Sequence, residues 1–208
     1  MISTCGHGAR VRNKRSVRTF GGPVFSFPLA EGAELRPLEP WHAAAFAEHA
    51  ERVREELLPW IPWARTVVDE ESARAFLQTY ADRQAADAGR IYGVWVDGEL
   101  AGGVLFRVFN AATGVCEVGV WLDPSVRGRG LVTRAVHHMI DWAVRERGMA
   151  RVEWCCDVDN AASIAAAKRI GFTYEGTLRS VFPVGGRRRD MQMWSILAEE
   201  WAGAPARV

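Results

Sequence analysis

One stretch constrains this chain more than any other: Val115 to Leu122 (VCEVGVWL), then Asp123-Pro124-Ser125, then Arg127-Gly128-Arg129-Gly130. The first part is apolar at most positions and rich in β-branched residues, which fits a strand buried on both faces. Pro124 ends strand pairing. The glycines open an apolar-periodic segment that reads as a helix from about Gly128 to Arg147. Leu131, Ala135, Met139 and Ala143 form its stripe, flanked by Val136, Ile140 and Val144, and Gly148 ends it. A strand, a glycine-rich turn and a helix start make an anion site. Glycine lets the backbone come close, the first helical turn leaves N–H groups unpaired, and the helix dipole favours negative charge there. Arg127 and Arg129 add full positive charge. The stretch is too short for a P-loop and lacks the three-glycine dinucleotide fingerprint.

The rest of the chain supplies a mixed α/β order. Val24 to Leu38 reads as a strand with a turn at Glu31-Gly32. Pro40 to Glu55 reads as a helix with Phe46, His49 and Val53 at helical spacing, and His42 and His49 are expected on its surface. Leu57 to Trp63 is irregular, because Pro59 and Pro62 block regular structure while Trp60 and Trp63 supply large apolar faces. Those two rings either fold into the core or wall a cleft. Asp69 to Asp87 is a second helix, with Asp69 or Ser72 near its cap. Ile91 to Val96 and Leu100 to Val108 flank Asp97-Gly98, a hairpin signal. After the central helix comes a strand, Arg151 to Val158, which a strand–helix–strand crossover makes parallel to the first. A short helix, Ala161 to Ile170, and a closing hairpin, Phe172 to Val184 with Arg189 to Leu197, complete the order.

With 208 residues, one domain is expected. It spans residues 24–201, after a basic arm at 1–23 and before a short tail at 202–208. Arg10, Arg12, Lys14, Arg15 and Arg18 crowd the arm, which reads as a solvated tail or an RNA contact. A net charge of +1 gives no global field toward nucleic acid or membrane. No apolar run approaches the ~18 residues a bilayer span needs. Cys5, Cys116, Cys155 and Cys156 lack metal spacing, so no metal is expected. Adjacent Cys155 and Cys156 point to opposite faces of a strand, as reduced residues of a cytoplasmic protein would.

The glycine loop resembles the acyl-CoA pyrophosphate loop of the GNAT acetyltransferase superfamily, Arg/Gln-x-x-Gly-x-Gly/Ala after a buried strand. Arg127, Gly130 and Val132 take those places, with Val132 larger than the usual last residue. A second match is Asn160-Ala161-Ala162-Ser163 followed by Gly171-Phe172, similar to the Asn-x-x-Ser and Gly-Phe of the Rim-type ribosomal-protein acetyltransferases. The element order matches over residues ~24 to 201. The resemblance implies a mixed, mostly antiparallel sheet with a splayed parallel pair, flanked by helices, and acetyl-CoA as cosubstrate. The pyrophosphate would sit on the amides of Arg127, Gly128, Arg129, Gly130, Leu131 and Val132, with Thr133 and Lys168 nearby. The pantetheine would pair with backbone around Val120, Trp121 and Leu122, and with Asn160, which also suits a helix cap. Ser163 is implied as the acid to the leaving sulfur, and reads otherwise as a first-turn serine. Trp60 and Trp63 match a Pro-Trp segment that lines the acceptor site. A homodimer is implied as well.

The chemistry has modest needs. The amine must be neutral to attack, and an α-amine titrates near ~8 against ~10.4 for lysine. This tilts the reading toward protein N-terminal amines. Glu117 is the base candidate: period-two alternation places it mid-strand with Gly119 and Trp121. A structural ion pair with an arginine is its alternative. Arg187, with Arg188 and Arg189, is a solvated turn or recruits an acidic acceptor or a succinyl group. The competing functions are a small-amine or aminoglycoside acetyltransferase, a succinyl-CoA user, and a non-catalytic acyl-CoA-binding module docking on RNA through residues 10 to 18.

Overall fold

A computed structural model describes residues 25–202. The basic arm, and all but the first residue of the tail expected from 202 on, therefore lie outside the described residues. Among the described residues eight strands form one sheet: β1 (Phe27–Ala30), β2 (Ala33–Pro37), β3 (Arg90–Val96), β4 (Glu99–Asn110), β5 (Val115–Leu122), β6 (Arg151–Asp157), β7 (Thr173–Val184) and β8 (Arg187–Leu197). Their order is β1-β2-β3-β4-β5-β6-β8-β7. Every neighbouring pair is antiparallel except β5 and β6, which run parallel through the crossover helix between them.

The two faces are covered by α1 (Ala43–Leu57), α2 (Glu70–Ala85), α3 (Leu131–Asp141) and α4 (Ala161–Ile170). The strands feed two apolar cores by alternation. Val104, Phe106, Cys116 and Val118 pack with Leu131, Ala135, Met139 and Ile140 of α3. On the other face Ile91, Trp95, Leu105 and Trp121 pack with Phe46, Val53 and Leu77 of α1 and α2. Asp69 starts α2 in a reciprocal cap, its carboxylate accepting from the Ser72 amide at 2.8 Å while the Ser72 hydroxyl accepts from the Asp69 amide at 3.0 Å.

The turn expected at Glu31-Gly32 divides β1 from β2, with Gly32 at φ +66°. Two expectations need correction. The central helix starts at Leu131, three residues later than expected, and its regular part stops at Asp141. Trp142 to Glu146 continue it as a wider turn, closed by Arg147 N–H on the Trp142 carbonyl at 3.1 Å. His49 is not on the surface of α1: its side chain is fully buried. Spacing from Phe46 and Val53 puts position 49 on the buried stripe, and a hydrogen-bond partner there removes the usual cost of burying an imidazole.

Candidate active site

The loop after β5 is built from Asp123 outward. Its buried carboxylate accepts from the Ser125 amide at 2.9 Å and hydroxyl at 2.7 Å, and from Arg52 Nε of α1 at 3.0 Å. Burial works against the charge, but these donors outweigh it and hold the Asp123 pKa at about 2. Pro124 to Val126 make one tight turn, and the Arg127 amide donates back to the Pro124 carbonyl at 3.2 Å. The Arg127 amide is thus engaged, and the expected ligand-facing run is shortened by that residue. Among the described residues no backbone acceptor meets the amides of Gly128, Arg129 or Gly130. Leu131, Val132 and Thr133 follow as the first turn of α3, whose amides have no intrahelical partner. Gly128 (φ +80°) and Gly130 (φ +71°) hold the left-handed backbone that turns these amides outward. A Cβ at Gly128 would meet nothing within 4 Å, so the handedness, not crowding, requires glycine there.

The side chains are differently committed. Arg127 Nη2 donates to Glu56 of α1 at 2.6 Å, and Arg129 Nη2 donates to the Glu31 carbonyl at 3.1 Å. Thr133 Oγ1 accepts from Arg169 of α4 at 3.3 Å. The anion site is accordingly a backbone site with arginines at its rim.

Beside it the sheet opens. β5 and β6 pair only at Val115 with Arg151, Cys116 with Val152 and Glu117 with Glu153. β5 then follows β4 to Leu122, and β6 follows β8 to Asp157. The facing edges of Val118–Leu122 and Trp154–Asp157 share no ladder. Val120 and Leu122 are half-buried toward α3, and Trp121 is buried toward α1, so backbone is what these three residues offer to the gap. α4 starts at the gap. Asn160 Oδ1 accepts from the Ser163 amide at 3.0 Å, which is the expected cap. Ser163 Oγ accepts from the Trp154 indole at 3.0 Å. Lys168 is not gathered with them. It sits ~7.5 Å further along α4 at 1.5 Å per residue, with its ammonium over Trp194, 5.9 Å from the ring centroid.

On the α1/α2 face, Glu117 is buried and both its oxygens accept from Arg107, Nε at 2.7 Å and Nη2 on the second oxygen. Arg107 lies over the Phe182 ring of β7 at 5.9 Å. Cys155 shares this face by alternation, and burial pushes its thiol up to about 11. Trp60 is half-buried, whereas Trp63 packs against Phe46, Phe76 and Trp121 in the core. The β7–β8 turn reaches the α1–α2 connection: a Cβ on Gly185 would stand 3.2 Å from Arg65 Nη2. The arginine triplet is divided. Arg188 Nε donates to the Ser180 carbonyl at 2.6 Å, and Arg189 binds Asp157 at 2.6 Å and Asp159 at 3.1 Å. Arg187 is exposed and has no ion pair among the described residues. The sequence does not single out Arg107, Trp154, Asp157 or Arg52. Of these, only Trp154 carries a signal, an indole in a strand that leads into Asn-x-x-Ser.

Residues 33–173 match the family model described as Acetyltransferase (GNAT) domain. The chain is 30% identical over 185 residues to "Putative ribosomal N-acetyltransferase YdaF" of Bacillus subtilis, covering 86% of this chain and 99% of that one. It is 25% identical to the ribosomal-protein-serine acetyltransferase of Escherichia coli, over 82% of this chain and 96% of that one. Among solved structures, RimL, a ribosomal L7/L12 α-N-protein acetyltransferase in complex with coenzyme A, superposes with a TM-score of 0.79 at 24% identity, over 84% of this chain and 99% of that one.

Proposed function

The chain belongs to the GNAT acetyltransferase family and is an N-acetyltransferase, and from that premise we propose that it moves acetyl from acetyl-CoA directly onto the N-terminal α-amine of a protein, with ribosomal proteins as the acceptor class. The observation that carries this reading is the parallel pair that stops pairing at Glu117 and Glu153, next to six successive unpaired amides from Gly128 to Thr133. A diphosphate fits those amides, and an extended pantetheine arm fits the open edges as an added strand. The relatives named for ribosomal proteins support the acceptor class.

Bound acetyl-CoA supplies an activated thioester, and the protein's task is to place it and manage two protons. The loop amides anchor the diphosphate, so the thioester falls at the widening gap between β5 and β6. Asn160, whose Oδ1 is used by the cap, has its Nδ2 for the arm. Backbone donors on the open β5 edge stabilise the developing oxyanion. Ser163 gives a proton to the leaving sulfur. The Trp154 indole occupies one lone pair of Oγ, which aims the hydroxyl hydrogen elsewhere. A thiol leaves near pKa ~8.5, so a weak acid suffices. Glu117, held by Arg107, receives the amine proton through water. Trp60 and the β7–β8 turn with Arg187 border the acceptor. The working compartment on this reading is the cytoplasm, which keeps Cys155 and Cys156 reduced. The open edge of β7, with Tyr174, Leu178 and Val181 exposed, supports a homodimer, and sedimentation at micromolar concentration checks it.

Thiol release from acetyl-CoA tests the function against a panel of N-terminal peptides, N-blocked lysine peptides, polyamines and aminoglycosides, with succinyl-CoA as the second donor. Peptides with a free α-amine are expected to turn over at least tenfold faster than the others. Preference for a polyamine or an aminoglycoside would move the enzyme to the small-amine class.

A further inference from the structure

Two ion pairs tie α1 to the loop after β5, and they sit in register. Arg52 binds Asp123, and one helical turn later Glu56 binds Arg127. They differ in character. Asp123 is buried and also caps the turn through Ser125, so the first pair is part of the loop's frame. The second is exposed on both sides, with side-chain exposures of 48% for Arg127 and 45% for Glu56. Glu56 has no other hydrogen bond or ion pair among the described residues. Its only polar contact is therefore with the one guanidinium placed at the start of the unpaired amides.

We infer that Glu56 is a stand-in for the diphosphate: it occupies Arg127 in the free protein and gives it up when acyl-CoA binds, so that Glu56 sets the affinity of the acyl-CoA site. The inference rests on the reading that this loop holds the diphosphate. The physical basis is competition for one planar donor fork. A diphosphate brings at least two negative charges to the loop, against one on Glu56, and phosphate oxygens match guanidinium geometry as well as a carboxylate does. The exchange is inexpensive because an exposed pair contributes little in free protein. The exchange leaves α1 in place, because Leu57 is buried, Arg52 stays on Asp123 and Arg54 donates to the Val67 carbonyl at 2.9 Å.

Calorimetry on the full chain tests this with coenzyme A and with pantetheine, which lacks the diphosphate. The variants are Glu56→Gln, Arg127→Gln and the double substitution, each checked for an unchanged thermal midpoint. Glu56→Gln is expected to bind coenzyme A about two- to fivefold more tightly, the range an exposed pair allows. Pantetheine affinity is expected not to change. In the Arg127→Gln background the Glu56→Gln gain is expected to vanish. An equal gain in that background would mean a plain field effect on an anionic ligand and would overturn the inference. So would unchanged affinity in Glu56→Gln while Arg127→Gln weakens binding, which leaves the loop reading intact. If Arg127→Gln and Gly130→Ala both leave coenzyme A binding unchanged, the loop reading itself fails and this inference with it.

Discussion

Trp121 donates its indole N–H to Nε2 of His49 at 3.0 Å, and both side chains are buried. The other imidazole nitrogen, Nδ1, lies 3.3 Å from Arg52 Nη2, which itself donates to the Leu100 carbonyl at 2.7 Å. Trp121 lies flat over Gly103, where an added Cβ would stand 2.1 Å from the ring. The bond therefore fixes the face of β5 opposite α3 and pins α1 to the strand that borders the gap.

This bond makes stability depend on pH. Desolvation is the main cause, and the Arg52 charge adds to it; together they lower the His49 pKa from 6.5 to about 4. Between those values the unfolded chain binds the proton and the folded chain does not, so stability falls as pH drops through that window and is level above it. The loss from pH 7.5 to pH 5 is about 2 kcal/mol at 1.36 kcal/mol per unit. Asp123 acts in a separate window: its lowered pKa adds stability above 3.8 that is lost as pH falls toward about 2. Urea unfolding at pH 7.5, 6 and 5 checks the first window. His49→Gln, which still accepts from the indole but does not titrate, is expected to flatten the curve there; an equally steep curve in that variant would assign the protons elsewhere.

Gly130 carries φ +71° at the entry to α3. Alanine in that backbone region costs ~1–2 kcal/mol, and the strain is relieved by rotating the neighbouring amides out of convergence. Gly130→Ala is therefore expected to raise the KM for acetyl-CoA roughly tenfold, the equivalent of that cost, with a thermal midpoint close to the parent. Initial rates across acetyl-CoA concentrations read it. An unchanged KM would mean that the diphosphate does not use these amides.

The fold is legible in the sequence to the extent that local pattern decides it. Asp97-Gly98, Gly148 and Gly171 punctuate the elements, and the apolar run of β5 with the stripe of α3 forces a crossover and hence the parallel β6. The site is legible where it is made of backbone, because two glycines and a helix start announce unpaired amides. It is not legible where long-range register decides. Glu117 is conspicuous as an acid in an apolar strand, but its partner Arg107 stands at a bulge between Phe106 and Val108, which no local pattern shows. His49 sits on the buried stripe by spacing, yet its residue type argues for solvent; only the indole of Trp121, 72 positions later, resolves the conflict. The Glu56–Arg127 pair is a matter of helix docking and has no sequence signature.

Ser163 and Trp154 should separate acid chemistry from helix packing. Ser163→Ala removes the hydroxyl but keeps the backbone amide that Asn160 caps, so the helix is expected to hold. General acid catalysis contributes typically 10²–10⁴-fold, and a thiol leaving group puts this case near the bottom of that range, so kcat is expected to fall about a hundredfold with the KM for acetyl-CoA little changed. Trp154→Phe keeps the ring contact with Phe172 and loses only the N–H that orients Oγ. Its kcat is expected to fall about three- to tenfold, the worth of one neutral hydrogen bond. In Ser163→Ala the Trp154 change is expected to cost nothing more. If both costs simply add, the indole acts through packing and not through Ser163.

Glu117 and Arg107 pose the sharper alternative, because a buried carboxylate held by a half-exposed arginine suits a structural brace as well as a base. The acceptor resolves it. An α-amine loses its own proton near pH ~8, so a base is needed below that value and dispensable above it. Glu117→Gln keeps a hydrogen-bonding partner for Arg107 but takes no proton. Its kcat is expected to fall about a hundredfold at pH 7, within the usual range for a general base, and to recover toward the parent above pH 9. Rates with an N-terminal peptide across pH 6.5 to pH 9.5 read the effect. Arg107→Gln leaves the carboxylate without its donors and is expected to lower the thermal midpoint more than Glu117→Gln does. A Glu117→Gln enzyme with parental kcat at every pH and a lowered midpoint would make the pair a brace between β4 and β5, and the amine would then lose its proton to water without help from this side chain.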